Sequence, residues 1–148
     1  MRKANETTEQ QTVIQWAAYN RRRWPALMNL YHVPNEAKRT AATGALLKEM
    51  GMSAGVPDLI LDYPAGVYHG LRLELKYGKN TPSEAQAAWL LRLQEAGYFV
   101  AAAWGAQAAI HLLEEYVALA PGQHMAEDCP NTKIRWGFPE IRADREAW

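Results

Sequence analysis

The spacing of apolar residues predicts two helices in the first third of the chain. In residues 10–23 apolar positions recur at helical spacing, and the helix is expected to end before Pro25. A second helix is predicted over residues 37–50, with Gly51 as its C-terminal stop. Between them, residues 31–33 are predicted to form a short extended segment.

The middle of the chain changes to the period of a strand. Residues 71–77 alternate apolar and polar side chains throughout, which is typical of a strand. Residues 57–63 form a shorter strand candidate, and residues 64–66 supply turn residues between the two. Residues 98–104 are almost entirely apolar and predict a buried strand.

Two further helices complete the pattern. Ser83 and Gln86 have the spacing of a capping box, which predicts a helix that begins there and ends at Gly97. A last helix is predicted over residues 106–119. The order of elements is therefore α, α, β, β, α, β, α, which indicates the α/β class, with a mixed sheet flanked by helices.

Composition limits the kinds of protein this can be. The chain has 148 residues, 49% of them hydrophobic and 22% charged, which suits one globular domain. No apolar run is long enough to span a membrane, and no apolar stretch follows the basic N-terminus as in a signal peptide. Cys129 is the single cysteine, which excludes an intrachain disulfide and favours a reducing compartment. We therefore expect a cytoplasmic location.

Charge is unevenly distributed although the formal net charge is zero. Residues 1–80 contain eleven Lys and Arg against seven Asp and Glu, whereas residues 81–148 contain five against nine. The basic excess is densest at Arg21, Arg22 and Arg23. Such a half is compatible with phosphate binding, but a solvated helix end explains the arginine run equally well.

Residues 121–148 differ in character from the rest of the chain. They are polar, contain three prolines and show no clear periodicity. Their aromatic residues, Trp136, Phe138 and Trp148, predict that part of this segment docks on the domain or on a partner subunit.

One set of residues suggests chemistry. Glu74 and Lys76 are two apart on the predicted strand and therefore share a face, which a solvated polar face would also explain. If the two middle strands pair as a hairpin, Asp58 comes to lie near Glu74. Two carboxylates held together are costly unless a cation lies between them, and Mg²⁺ accepts such oxygen ligands. A strand-start aspartate with no special role remains the alternative for Asp58.

These three residue types suit the hydrolysis of a phosphodiester. Metal ions neutralise the charge that develops at phosphorus and make water acidic enough to attack. A neighbouring lysine stabilises that charge or acts as a base. The sequence therefore suggests a metal-dependent nuclease.

The chain resembles a known nuclease family. Pro57, Asp58 and Glu74-Leu75-Lys76 resemble the PD-(D/E)xK signature. Several stretches, in order, resemble the VRR-NUC family of virus-type replication and repair nucleases; they are residues 33–35, 51–59, 68–76, 83–86 with Trp89, and 97–98. The resemblance implies a restriction-endonuclease-like fold, with a nuclease domain over residues 1–120 and a C-terminal extension over residues 121–148. It also implies Mg²⁺ or Mn²⁺ as the cofactor.

The resemblance adds residues to the site. It implies that Glu6, Asp58, Glu74 and the backbone carbonyl of Leu75 bind the metal, since Glu6, Gln10 and Trp16 match the family's spacing in the first helix. Glu9 is a rival for Glu6, and either could simply favour the helix dipole. With Asn5 as N-cap, Glu6 lies on the helix; with Thr7 or Thr8 as N-cap, it does not.

The resemblance also assigns roles near the reacting phosphate. Lys76 would activate water and stabilise charge, and Gln86 would support the lysine and the phosphate. For Gln86 the capping box with Ser83 is the competing explanation.

The resemblance further implies a substrate and an assembly. Stand-alone members of this size resemble junction-cutting enzymes of DNA repair, so we expect a homodimer acting on branched DNA such as Holliday junctions, in a bacterial or phage-infected cell. The alternatives are a non-cleaving DNA-binding module on the same fold and a sequence-specific restriction-type endonuclease. The intact Asp58, Glu74 and Lys76 argue against the first, and the lack of an evident base-reading element argues against the second.

Overall fold

The structure is a computed structural model that describes residues 5–34 and 40–135. It contains four α-helices, α1 (Glu6–Tyr19), α2 (Ala41–Glu49), α3 (Glu84–Glu95) and α4 (Ala106–Val117), and a short 3-10 helix, Pro25–Asn29. The strands are β1 (Leu30–His32), β2 (Leu59–Leu61), β3 (Leu71–Lys76), β4 (Phe99–Trp104) and β5 (Thr132–Lys133).

The five strands form one mixed sheet in the order β1-β2-β3-β4-β5. β1, β2 and β3 pair antiparallel, β3 and β4 pair parallel, and β5 pairs antiparallel with β4. The parallel pair requires a crossover connection, which α3 provides between β3 and β4. The α/β class and the mixed sheet flanked by helices are thereby confirmed.

Helices cover both faces of the sheet. One face packs against α1 and α4 through alternate residues of the central strands, and the large core there includes Leu73, Leu75, Ala101 and Tyr116. The opposite face packs against α3 in a smaller core of Ala87, Leu90, Leu91, Val100 and Ala102. Because side chains alternate along β3, the residues between its buried leucines face α3.

Most predicted elements are present, with shifted ends. The first helix begins earlier than predicted because Asn5 caps it: its side chain accepts from Thr8 N–H and Thr8 reciprocates. The predicted capping box of Ser83 and Gln86 is present at the start of α3. Of the second predicted helix, residues 37–39 lie outside the described residues, and Gly51 follows its end with a φ of 102°.

The segment after Pro121 contributes to the same sheet as far as it is described. Its residues 132–133 form β5 beside β4, and Met125 is buried in the large core. The sequence pattern predicts no strand here. Trp136, Phe138 and Trp148, on which the docking prediction depends, lie outside the described residues. Among the helices that are described, none has the length and apolar character needed to cross a membrane.

Candidate metal-binding active site

Asp58 lies opposite Glu74 across the β2–β3 pair. Leu59 is paired with Leu73 in an antiparallel register, so Asp58, which immediately precedes β2, faces Glu74 on β3. The Asp58 Oδ2 accepts a hydrogen bond from the backbone N–H of Leu75 at 2.9 Å, and the side chain is buried. The hairpin expected from the sequence does form, and it places the two carboxylates together.

Glu74 and Lys76 share the α3-facing side of β3, but this side is not solvated. Glu74 is 1% exposed and Lys76 is 6% exposed. The Lys76 Nζ lies 3.5 Å from Glu74 Oε1. The solvated-face explanation of this pair is therefore excluded, because a charged side chain is rarely buried unless something compensates its charge.

The compensation for the buried carboxylates is incomplete. Within the described residues, Glu74 Oε2 is buried and has no hydrogen-bond partner. Burial, together with the charge of Asp58, raises the pKa of Glu74 to about 9. Burial also raises the pKa of Asp58. An unpartnered carboxylate oxygen beside a second carboxylate is the donor set that a hard divalent cation prefers, so these residues fit Mg²⁺ or Mn²⁺.

Glu6 lies near this pair without completing a compact ligand cluster. It is the first residue of α1, and its Oε2 accepts from Asn80 Nδ2 at 2.7 Å. Burial is the main cause of the raised pKa of Asp58, and the charge of Glu6 adds to it. In the part of the chain that the structure describes, no three His, Cys, Asp or Glu side chains form a ready metal-binding group.

Glu9, the rival of Glu6, has a different position. Its Oε2 accepts the backbone N–H of Ala106 at 2.9 Å, which places its charge at the N-terminus of α4. Gly105, the N-cap of α4, has no side chain for this role, so Glu9 supplies the missing acceptor. Glu9 therefore lies in the first turn of α1 and also accepts a hydrogen bond at the N-terminus of α4.

Gln86 performs its capping role. Its Oε1 accepts from Ser83 N–H at 2.8 Å, and the side chain is half-buried. No hydrogen bond joins it to Asp58, Glu74 or Lys76 among the described residues. The structure thus brings Asp58, Glu74 and Lys76 together, places Glu6 near them, and leaves Gln86 at the start of α3.

A solved structure resembles this chain, although no protein-family model and no curated protein matches its sequence. That structure is described as a VRR_NUC domain protein and matches with a TM-score of 0.71 and 30% sequence identity, over 85% of this chain and 100% of that chain. The chain belongs to the VRR-NUC family. The family resemblance inferred from the sequence is thereby confirmed, and with it a nuclease family.

Sequence reasoning missed a glycine that positions the site of this VRR-NUC protein. Gly55 lies in the loop before Asp58 with a φ of +84°, and a Cβ there would lie 2.6 Å from the backbone carbon of Ala85. The loop therefore packs directly on the first turn of α3. In the sequence, Gly55 is visible only as a glycine shortly before Pro57 and Asp58. That position does not indicate that its backbone packs against the first turn of α3.

Gly55→Ala is expected to destabilise the protein by about 2 kcal/mol or more and to displace Asp58, because positive φ and a backbone clash act together. Gly51→Ala is the matched control, since Gly51 also has a positive φ but open space around a Cβ. Thermal unfolding of both variants measures the difference. Equal losses of stability in the two variants would contradict the close packing of this loop.

In the metal-free VRR-NUC protein, the free energy of unfolding is expected to fall as pH rises, because of the buried carboxylate pair. The pKa of Glu74 is raised from 4.5 to about 9, so the folded state favours the protonated carboxyl group. The contribution of this group to the free energy of unfolding is fully present below pH 4.5 and is lost as pH rises through about 9. The slope from this one group is at most about 1.4 kcal/mol per pH unit. Glu74→Gln removes the titrating group and should flatten the profile.

The measurement is the melting temperature in excess chelator between pH 5 and pH 9, compared between the native chain and the Glu74→Gln variant. The native chain should lose stability relative to the variant over this range. Parallel profiles would mean that Glu74 is already ionised near its ordinary pKa.

Proposed function

We propose that this protein is a metal-dependent DNA endonuclease that hydrolyses phosphodiester bonds. The observation that carries the proposal is the buried pair of Asp58 and Glu74 beside Lys76, with Glu74 Oε2 unpartnered among the described residues, in a member of a nuclease family. A chain that only bound DNA would have no need to keep this costly arrangement.

The metal-binding residues proposed are Asp58, Glu74 and the backbone carbonyl of Leu75, with Mg²⁺ or Mn²⁺ as the ion. When bound, the ion lowers the pKa of water and stabilises charge on the phosphate. The Leu75 N–H fixes the orientation of Asp58 by donating to Oδ2. Glu6 joins the set from the first turn of α1, directly or through water.

Lys76 is the proposed cation next to the scissile phosphate. It is held by Glu74 at 3.5 Å and is shielded from solvent, so its ammonium group is positioned before DNA arrives. A preorganised charge in a water-poor site stabilises developing negative charge more than an exposed lysine does. Gln86 would support the phosphate through its amide Nε2, since its Oε1 accepts from Ser83.

The proposed substrate is branched DNA, and the proposed assembly is a homodimer. Two symmetric cuts at a four-way junction need two sites, which a two-fold dimer of single-site chains supplies. The basic excess in residues 1–80 suits backbone recognition without a fixed sequence. Exposed apolar side chains at Tyr19, Met28 and Tyr31 offer surface that a second subunit could cover.

The test of the proposed function is cleavage of a matched DNA panel. Linear duplex, flap, splayed and four-way DNAs of one sequence are incubated with the protein in Mg²⁺, Mn²⁺ or chelator, and sedimentation at micromolar concentration gives the oligomeric state. We expect metal-dependent cutting, fastest on the four-way junction, by a dimer. Binding without cutting in any metal would contradict the endonuclease, and a monomer equally fast on linear duplex would contradict the junction preference.

Replacing Glu6 is expected to affect cleavage, whereas replacing Glu9 is expected to affect stability. Glu6→Gln should reduce cleavage by about tenfold or more with unchanged stability, because it weakens a metal ligand. Glu9→Ala should cost about 1 kcal/mol of stability, because α4 loses its N-terminal acceptor, with a smaller effect on cleavage. Paired unfolding and rate measurements decide this. A greater loss of activity in Glu9→Ala would reverse the assignment.

A further inference from the structure

A chain of hydrogen bonds links Glu6 to Asn80 and, through the backbone of Asn80, to Trp104. Asn80 lies four residues after Lys76 in the loop that follows β3, and its Nδ2 donates to Glu6 Oε2 at 2.7 Å. The two residues are 74 apart in sequence, so this bond connects the first turn of α1 to the loop beyond the catalytic strand. The Asn80 side chain is exposed, and a single exposed hydrogen bond contributes little stability. It can therefore hold Glu6 in one position only if the Asn80 backbone is itself fixed.

The backbone of Asn80 is fixed at both polar groups. Its N–H donates to Tyr77 O at 3.2 Å, which closes a turn in which Gly78 has a positive φ. Its carbonyl accepts from the indole Nε1 of Trp104 at 2.8 Å. Trp104 is paired with Lys76 in the β3–β4 register and packs on the α3 side of the sheet. The loop is therefore anchored to the same strands that carry the site.

This anchoring determines where the Glu6 carboxylate lies. Glu6 is on a helix that packs on the opposite face of the sheet from Glu74, and its side chain is long and rotatable. Asn80 holds one carboxylate oxygen, Oε2, which leaves Oε1 for a cation. Ligating carboxylates in metal sites are commonly held in this way by a residue that does not touch the metal.

We propose that Asn80 is a positioning residue, anchored by Trp104, that holds the Glu6 carboxylate on the side of the Asp58–Glu74 pair, from where Glu6 joins the metal site directly or through water. This inference rests on the proposed function, because it requires that Asp58 and Glu74 bind a divalent cation. A purely structural tether between α1 and the loop would instead affect stability and leave metal affinity unchanged.

The experiment is equilibrium Mn²⁺ binding without DNA, followed by the electron paramagnetic resonance signal of the free ion. Asn80→Ala is expected to raise the Kd for Mn²⁺ by about tenfold, the lower end of the effect of removing a ligand's hydrogen-bond partner. Glu6→Gln should raise it at least as much. The double variant should bind no more weakly than Glu6→Gln, since both changes act through one carboxylate.

Asn29→Ala is the matched control. Its exposed side chain also donates a 2.7 Å hydrogen bond to a residue distant in sequence, the carbonyl of Asp62, away from Glu6. It should cost a similar amount of stability and leave the Kd for Mn²⁺ unchanged. Trp104→Phe keeps an aromatic ring but loses the bond to Asn80, and should raise the Kd in the same direction as Asn80→Ala.

The outcomes separate this inference from the proposed function. If the native chain binds Mn²⁺ and Asn80→Ala binds it within twofold of native, Asn80 does not position Glu6. Multiplicative effects of Asn80→Ala and Glu6→Gln would also overturn the inference, because the residues would then act independently. If the native chain binds no Mn²⁺ at millimolar concentration, the metal site itself fails, and the inference fails with it.

Discussion

Asp58→Asn and Glu74→Gln are each expected to reduce DNA cleavage at saturating Mg²⁺ by about a thousandfold or more, since the metal supplies several kcal/mol of transition-state stabilisation. Each substitution removes a charge and keeps nearly the same shape. In Asp58→Asn the side-chain amide retains an oxygen able to accept from Leu75 N–H, so the strand pairing should survive. Single-turnover cleavage and DNA binding by anisotropy separate loss of chemistry from loss of binding.

Asp62→Asn is the matched control for these variants. Asp62 follows β2 as Asp58 precedes it, but its side chain is 52% exposed and lies 3.3 Å from Arg72. It should cut DNA at close to the native rate. Native activity in Asp58→Asn or Glu74→Gln, or an equal loss in Asp62→Asn, would show that the carboxylate pair does not carry the chemistry.

Lys76→Met is expected to lower the rate at saturating DNA by about a hundredfold to a thousandfold, the range found when one stabilising group is removed from a transition state. Methionine fills much of the buried volume, so the loss should reflect the missing charge. The Lys76 ammonium lies 3.5 Å from Glu74, and it cannot be replaced by a diffuse guanidinium without moving that carboxylate. Lys76→Arg should therefore not restore the rate.

Lys79→Met provides the comparison for Lys76→Met. Lys79 is exposed in the loop that follows β3, three residues after Lys76. Its loss should at most weaken DNA binding in a salt-dependent way and leave the rate at saturation unchanged. A Lys76→Met variant that is defective only in DNA affinity would move Lys76 from the chemistry to the binding surface.

The central strands could be predicted because their apolar and polar residues follow the alternating pattern of a strand. Alternation along β3 placed Leu73 and Leu75 in the core, and it put Glu74 with Lys76 on the opposite face, as the structure has them. Pairing β2 with β3 as a hairpin was then enough to predict that Asp58 lies beside Glu74, without comparison with any other protein. The burial of Glu74 and Lys76 was not predictable from the strand pattern alone, because it depends on α3, the next element of the chain, packing on this face of the sheet.

Residues whose partners are distant in sequence escaped prediction. Glu9 caps α4 through Ala106, ninety-seven residues away, so its role has no signal at helical spacing. The short β5 forms because the edge of β4 is available for pairing. A strand of two residues is too short to show an alternating pattern in the sequence. Asn80 has no recognisable signal in the sequence, since its contacts to Glu6 and Trp104 form only when α1 and β4 are in place.

The most direct test of the metal site is an anomalous difference map from crystals of the native protein soaked in MnCl₂. We expect a peak at coordination distance, about 2.1–2.3 Å, from Asp58 and from Glu74 Oε2, which has no hydrogen-bond partner among the described residues. In crystals of Glu74→Gln soaked in parallel, the peak should be lost or greatly weakened. A well-ordered native site with no manganese between these two carboxylates would show that Asp58 and Glu74 do not form a metal site.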